Sequence, residues 1–158
     1  MIFARINRSN PEKIFIVAKN SYATAALSNG QAVIWDWTTD ADGVGVTLST
    51  ATANTAGGTD IAGVATQAIA AGAYGLLQVY GYHSAVRVRS MTSTGHVYHE
   101  SRQAVAKGTR LVGGITTVFA LEGVTVAETA QVLSGCGVAL AAQASFTTKA
   151  IAVFLKCL

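Results

Sequence analysis

Three histidines, His83, His96 and His99, with Asp36 and Glu100, are the side chains of this chain best suited to proton transfer or metal binding. His96 and His99 stand three apart, which on a β-strand sends them to opposite faces, so they cannot jointly grip a metal ion. Gly95, Val97 and Tyr98 favour a strand over the helical H-x-x-H-E that would align them, and Glu100 completes no ligand spacing. A hydrolase would need one of the histidines held beside Asp36 or Glu100, and polar residues are too sparse here to build many such pairs. Cys136 and Cys157 lie in apolar stretches without a recognisable pairing or metal spacing and read as free buried thiols. Gly43 and Gly45 form G-x-G, but no third glycine opens a helix, so no dinucleotide site is expected. The residues thus predict no catalytic group, no metal and no cofactor. What remains is aromatic: Trp35, Trp37, Tyr80 and Tyr82, a candidate platform for a partner surface or a glycan.

The elements that must position these residues read as β. In the stretch from Asp60 to Arg89, Gly72 and Gly75 bracket a bend. Leu77 and Val79 then fall on one face, with Leu76, Gln78, Tyr80 and Tyr82 on the other. Val86 and Val88 alternate with Arg87 and Arg89, which implies a second strand with one wet side after an intervening turn. Upstream, KIFIVAK (13–19) is a short apolar run expected to be a strand buried on both faces. A turn at Ser28-Asn29-Gly30 leads into QAVIWDW, with Val33, Trp35 and Trp37 on one face and Ala32, Ile34 and Asp36 opposite.

Residues 38–60 are rich in Thr, Ala and Gly and read as a long loop toward a neighbouring subunit, with room for a marginal hairpin where Val44, Val46 and Leu48 briefly alternate. Further on come a strand start at HVYHES, a turn at Lys107-Gly108, a short strand, a Gly113-Gly114 hairpin and a strand over Ile115–Leu121. TVAETAQVL (125–133) is the helix candidate, with Thr125 as N-cap and Glu128 three residues on. VALAAQASF and AIAVFLKCL, joined at Thr147-Thr148-Lys149, close the sheet. The fold class is therefore all-β, a small barrel or sandwich with one short helix. Residues 12–158 form one domain, preceded by an extended arm over 1–11 that ends at the single proline, Pro11.

Composition narrows the function classes. Charged residues make up 12% of the 158, against roughly 25% in ordinary soluble domains. Either a partner covers much of the surface, or that surface is rich in Ala, Thr, Ser and Gly. The net charge of +3 comes from dispersed lysines and arginines without interleaved aromatics, so no nucleic-acid partner is expected. The uncharged window from Ile61 to Val86 carries Thr66, Gln67, Gln78 and several glycines, so no transmembrane helix is expected. MIFARINRSN has no apolar core of signal-peptide length.

The series GQAVIWD, DIAGVATQAIAAGAYGLLQVYG, AKGTRL, GVALAAQ and AIAVFLKCL resembles the head decoration, or cement, proteins of tailed bacteriophages. The matching positions are Gly30, Gly63, Gly72, Gly75, Gly81, Gly108, Gly137 and Leu140. The resemblance implies a protein assembled in the host cytoplasm that joins the virion. There it would bind the outside of the head, with the major capsid protein and itself, as a homotrimer or a dimer, for partners. The arm suits this role: Ile2, Ala4 and Ile6 alternate with Phe3, Arg5 and Asn7, as in a strand that adds to a neighbour's sheet. Ile2, Phe3, Arg5, Ile6 and Arg8 are the expected capsid contacts. The competing expectation is a carbohydrate- or receptor-binding β module using Trp35, Trp37, Tyr80 and Tyr82.

Overall fold

The computed structural model describes residues 12–40, 43–48, 61–89, 104–113, 121–124, 136–143 and 147–157. These hold nine strands: β1 (Lys13–Asn20), β2 (Ala32–Trp35), β3 (Gly45–Leu48), β4 (Ile61–Ala65), β5 (Tyr74–Arg89), β6 (Arg110–Gly113), β7 (Leu121–Val124), β8 (Gly137–Ala139) and β9 (Lys149–Lys156). The fold is all-β. The arm over 1–11, the HVYHES segment and the helix candidate over 125–133 lie outside the described residues.

The strands close into two five-stranded rings that share β5. In the first, the order is β1-β3-β2-β4-β5, and β5 returns to pair with β1. In the second, the order is β5-β7-β6-β8-β9, and β9 returns to β5. Advancing every strand of the first ring by four gives the second. Each ring has one parallel pair, β1 with β3 and β5 with β7, and its other pairs are antiparallel.

The repeat extends to single hydrogen bonds. Ala32 opposite Val64 and Val33 opposite Gly63 recur as Arg110 opposite Val138 and Leu111 opposite Gly137. The lone bridge of Leu27 with Ile69 recurs as Val105 with Gln143. Gly30 N–H donates to Ala65 O as Gly108 N–H donates to Ala139 O, both at 2.8 Å. Different side chains even fill one role, since Ser28 N–H donates to the Gln31 amide oxygen and Ala106 N–H to Thr109 Oγ1. The chain is a tandem duplication in three dimensions. Its sequence trace is the pair LSNGQAV and VAKGTRL, followed by GVATQAI and GVALAAQ.

Two apolar clusters follow from this wiring. Leu27, Val33, Val46, Leu48, Ile69 and Leu77 are among the residues filling the first ring. Val86, Leu111, Leu121, Val153 and Leu155 belong to the second cluster, and Ala32, Ile61 and Val64 from β2 and β4 join it. Thus β2 sends Val33 into one core and Ala32 toward the other, and every residue of β4 is buried. That is why IAGVA shows no alternation. For these strands the first core covers one face and the second core covers the other. Each fully buried Leu or Val contributes roughly 1.5–3 kcal/mol relative to exposure.

Three expectations need correction. The turn expected inside the 60–89 stretch is absent: β5 runs unbroken for 16 residues, and a register shift between His83 and Val86 accommodates the extra residues. The bulge keeps the apolar side inward along the strand, with Leu77, Val79 and His83 before it and Val86 and Val88 after it buried. Within 38–60, residues 45–48 form β3, held by pairing on both edges despite their marginal apolar content. A two-residue hairpin at Gly113-Gly114 does not join β6 to β7, because Gly113 pairs with Leu121, where β7 begins; residues 115–120 of the strand expected over Ile115–Leu121 lie outside the described residues.

The rings meet where Gly30, at φ +79, lies against the bulge. A Cβ there would sit 2.0 Å from Ala85 O, and Gly30 O accepts from Arg87 N–H at 2.8 Å. Its repeat partner Gly108 has φ +89 and open space around the Cβ position. We expect Gly108→Ala to cost about 1–2 kcal/mol from left-handed backbone strain alone. Gly30→Ala should add an overpacking cost of about 1–3 kcal/mol or more. Urea unfolding of the two variants checks this; equal losses would show that the rings do not meet at Gly30.

Candidate interaction surface

β1 and β5 pair antiparallel, with Lys19 opposite Tyr74, Val17 opposite Leu76, Phe15 opposite Gln78 and Ile14 opposite Tyr80. The alternate residues Ala18 and Leu77 point into the first core, and Ile16 packs against it. The outward set is apolar as well. Ile14, Phe15, Val17, Tyr74 and Leu76 are 40%, 44%, 62%, 63% and 43% exposed. KIFIVAK is therefore covered on one face only, contrary to the expectation of burial on both. Adjacent cross-strand pairs make the exposed set one continuous stripe instead of scattered surface residues.

Within the stripe's row, Gln78 is buried, its Nε2 donating to Tyr80 O at 3.1 Å and Tyr82 O at 3.0 Å. These bonds satisfy the amide nitrogen against backbone carbonyls of its own strand. Beyond Gln78 the row continues as half-buried Tyr80 and Tyr82. Tyr80 meets Phe154 edge-on at 5.3 Å between ring centres. Lys13 Nζ stands 6.0 Å from the centre of the Tyr82 ring. Lys13 and Lys19 thus give the stripe a basic margin at each end of β1.

The four aromatic residues nominated from the sequence divide into two pairs. Tyr80 and Tyr82 belong to the β5 row. Trp35 and Trp37 lean on each other at 6.0 Å with planes 41° apart, Trp35 half-buried on the first core and Trp37 58% exposed. Ile2, Phe3, Arg5, Ile6 and Arg8 lie outside the described residues. Parity along β5 could have found the stripe, since Tyr74 and Leu76 share the face of Tyr80 and Tyr82. The outward turn of Phe15 and Val17 has no such signal, because a uniformly apolar run carries no alternation.

Asp36 and His83, the two described side chains among those considered for acid–base chemistry, bond to the backbone. Asp36 Oδ1 accepts from Thr39 N–H at 3.0 Å and closes the turn after β2. His83 is buried at the bulge, where Nδ1 accepts from Ala85 N–H at 3.1 Å. His96, His99 and Glu100 lie outside the described residues, and among the described residues no three His, Cys, Asp or Glu cluster as metal ligands. An open cleft of about 500 Å³ beside the stripe is lined by Lys19, Ser21, Asp40 and Tyr74, among others. No helix among the described residues is long and apolar enough to cross a membrane.

Burial, and then the charge of Lys13, lower the His83 pKa from its ordinary 6.5, while a hydrogen bond with the Ala65 backbone opposes the shift. The fold therefore prefers neutral His83. Its contribution is fully present above pH 6.5 and is lost as pH falls from 6.5 through the lower folded value. We expect His83→Gln to flatten the part of the stability profile that falls as pH drops below 6.5. Thermal midpoints of both proteins across that window check this, and parallel profiles would contradict it. Comparison of the chain with known protein families and with curated proteins returns no match.

Proposed function

We propose that this chain is a capsid decoration protein of a tailed bacteriophage, which binds the outside of the assembled head and clamps neighbouring major capsid subunits. The observation that carries the reading is the apolar stripe of Ile14, Phe15, Val17, Tyr74 and Leu76 on an otherwise closed double-ring body. Such a stripe contributes nothing to its own core and suits a flat protein partner. Its lysine margin favours a partner surface with an acidic rim over a second copy laid face to face, which would set like charges together. The resemblance to cement proteins supports the same reading. Its glycines at 30, 63, 72, 81 and 108 have positive φ and so are needed by the backbone itself. The role requires no catalytic residue. Homotrimer formation and a tethering arm with Ile2, Phe3, Arg5, Ile6 and Arg8 belong to the proposal.

A second reading, glycan binding by a virion module, rests on Trp37, exposed beside Trp35. Stacking on a sugar would use that face and leave the β1–β5 stripe idle.

Binding to undecorated heads separates the two. Val17→Lys with Leu76→Lys places charges on exposed positions, so the change in stability should stay within about 0.5 kcal/mol per site. Burial of those side chains at an interface contributes up to about 1.5–3 kcal/mol each, so head affinity should fall at least about tenfold. Trp37→Ala should bind normally. Sedimentation with heads measures all three proteins; undiminished binding of the double variant would reject the proposed surface. Removing residues 1–10 should leave a folded protein with reduced head occupancy, read from the same sedimentation, and unchanged occupancy would reject the tether.

A further inference from the structure

The chain's two cysteines, far apart in sequence, meet at one edge of the second ring. Cys136 stands immediately before β8 and Cys157 immediately after β9, strands that pair antiparallel with Gly137 opposite Leu155. Lys156 N–H donates to Cys136 O at 2.8 Å, and Cys157 Sγ donates to the same carbonyl at 3.5 Å. Both residues pack in the second apolar cluster. Cys136 is buried, with Sγ donating to Leu111 O at 3.4 Å, whereas Cys157 is half-buried. Cys157 N–H donates to Val79 O, so this thiol stands where β9 leaves the strand common to both rings.

We propose that Cys136 and Cys157 are a paired thiol modification site that closes to an intramolecular disulfide when the protein meets an oxidising low-molecular-weight disulfide such as glutathione disulfide. The accessible Cys157 thiolate attacks one sulfur of the oxidant, releasing one glutathione thiolate and leaving a mixed disulfide. The Cys136 thiolate then attacks the Cys157 sulfur and expels the second glutathione. One S–S bond forms in the protein as one breaks in the oxidant. The two thiol protons end on the two glutathiones, so both cysteines are oxidised while glutathione disulfide is reduced. The hydrogen bond with the Cys157 thiol, and then burial, hold the Cys136 pKa well above its ordinary value. The second step is accordingly slow and depends on the two sulfurs being held together. The bond would fasten the start of β8 to the end of β9 beside β5, sealing the second ring at its junction with the first. Both thiols remain free in a reducing compartment and close outside it.

The test uses the purified full chain with glutathione disulfide and needs no capsid. We expect the non-reduced mass to fall by two hydrogens, both thiols to become unreactive, the protein to stay free of intermolecular cross-links, and peptide mapping to find 136 joined to 157. The thermal midpoint should rise by about 6–12 °C over the reduced protein. Cys136→Ser should stop at a stable glutathione adduct on Cys157; should that variant fail to fold, Cys157→Ser should keep its one thiol unreacted. A wild-type protein that retains both thiols, accumulates the adduct without resolving it, or cross-links between molecules would overturn the proposal.

Discussion

A strand that belongs to two closed rings must show an apolar side chain inward along two successive cores, and a regular alternation cannot follow that path once the sheet bends from one ring to the next. β5 meets the constraint with its bulge between His83 and Val86, which resets the alternation so that Val86 and Val88 enter the second core. Much of the junction depends on that reset. The Ala85 carbonyl it presents leaves room for nothing larger than glycine at position 30, and His83 ties the displaced Ala85 N–H. One ring thereby packs on the other without an inserted layer, and β2 and β4 become a wall between two cores.

The duplication also shows which features folding requires and which it does not. Bridges, turns and register recur in both rings, although Gln31 is replaced by Thr109 and Ile69 by Gln143 at matching places. The outer faces do not recur. On the first ring, β1 and β5 present Phe15, Val17, Tyr74 and Leu76 to solvent. On the second, β5 and β9 present Arg87, Ala150, Lys156 and a Phe154 already packed on Tyr80. Since the shared wiring forms without the apolar stripe in the second ring, the stripe in the first is free to serve an interaction.

Much of this was legible from the residues. The two faces of β5, the turns at Gly30 and Gly108, the strands flanking Thr147 and the all-β class follow from period-2 patterning and glycine placement. The duplication was harder to read, because the copies share Gly-Val-Ala and turn glycines but few core side chains. GVATQAI and GVALAAQ therefore look like successive steps of one motif. The bulge reads as a turn because His83-Ser84-Ala85 interrupts the alternation, and local pattern does not distinguish an inserted residue from a reversal. β3 was hidden since its stability comes from pairing with β1 and β2, which are distant in sequence. The closeness of Cys136 and Cys157 is likewise a product of strand pairing.

The most direct test of the account is hydroxyl-radical footprinting, read by mass spectrometry, of the protein free and bound to heads assembled without it. The account predicts strong protection of Phe15, Val17, Tyr74 and Leu76 on the head, with Trp37 as reactive as in the free protein. Protection centred on Trp35 and Trp37, with the β1–β5 stripe unchanged, would contradict it.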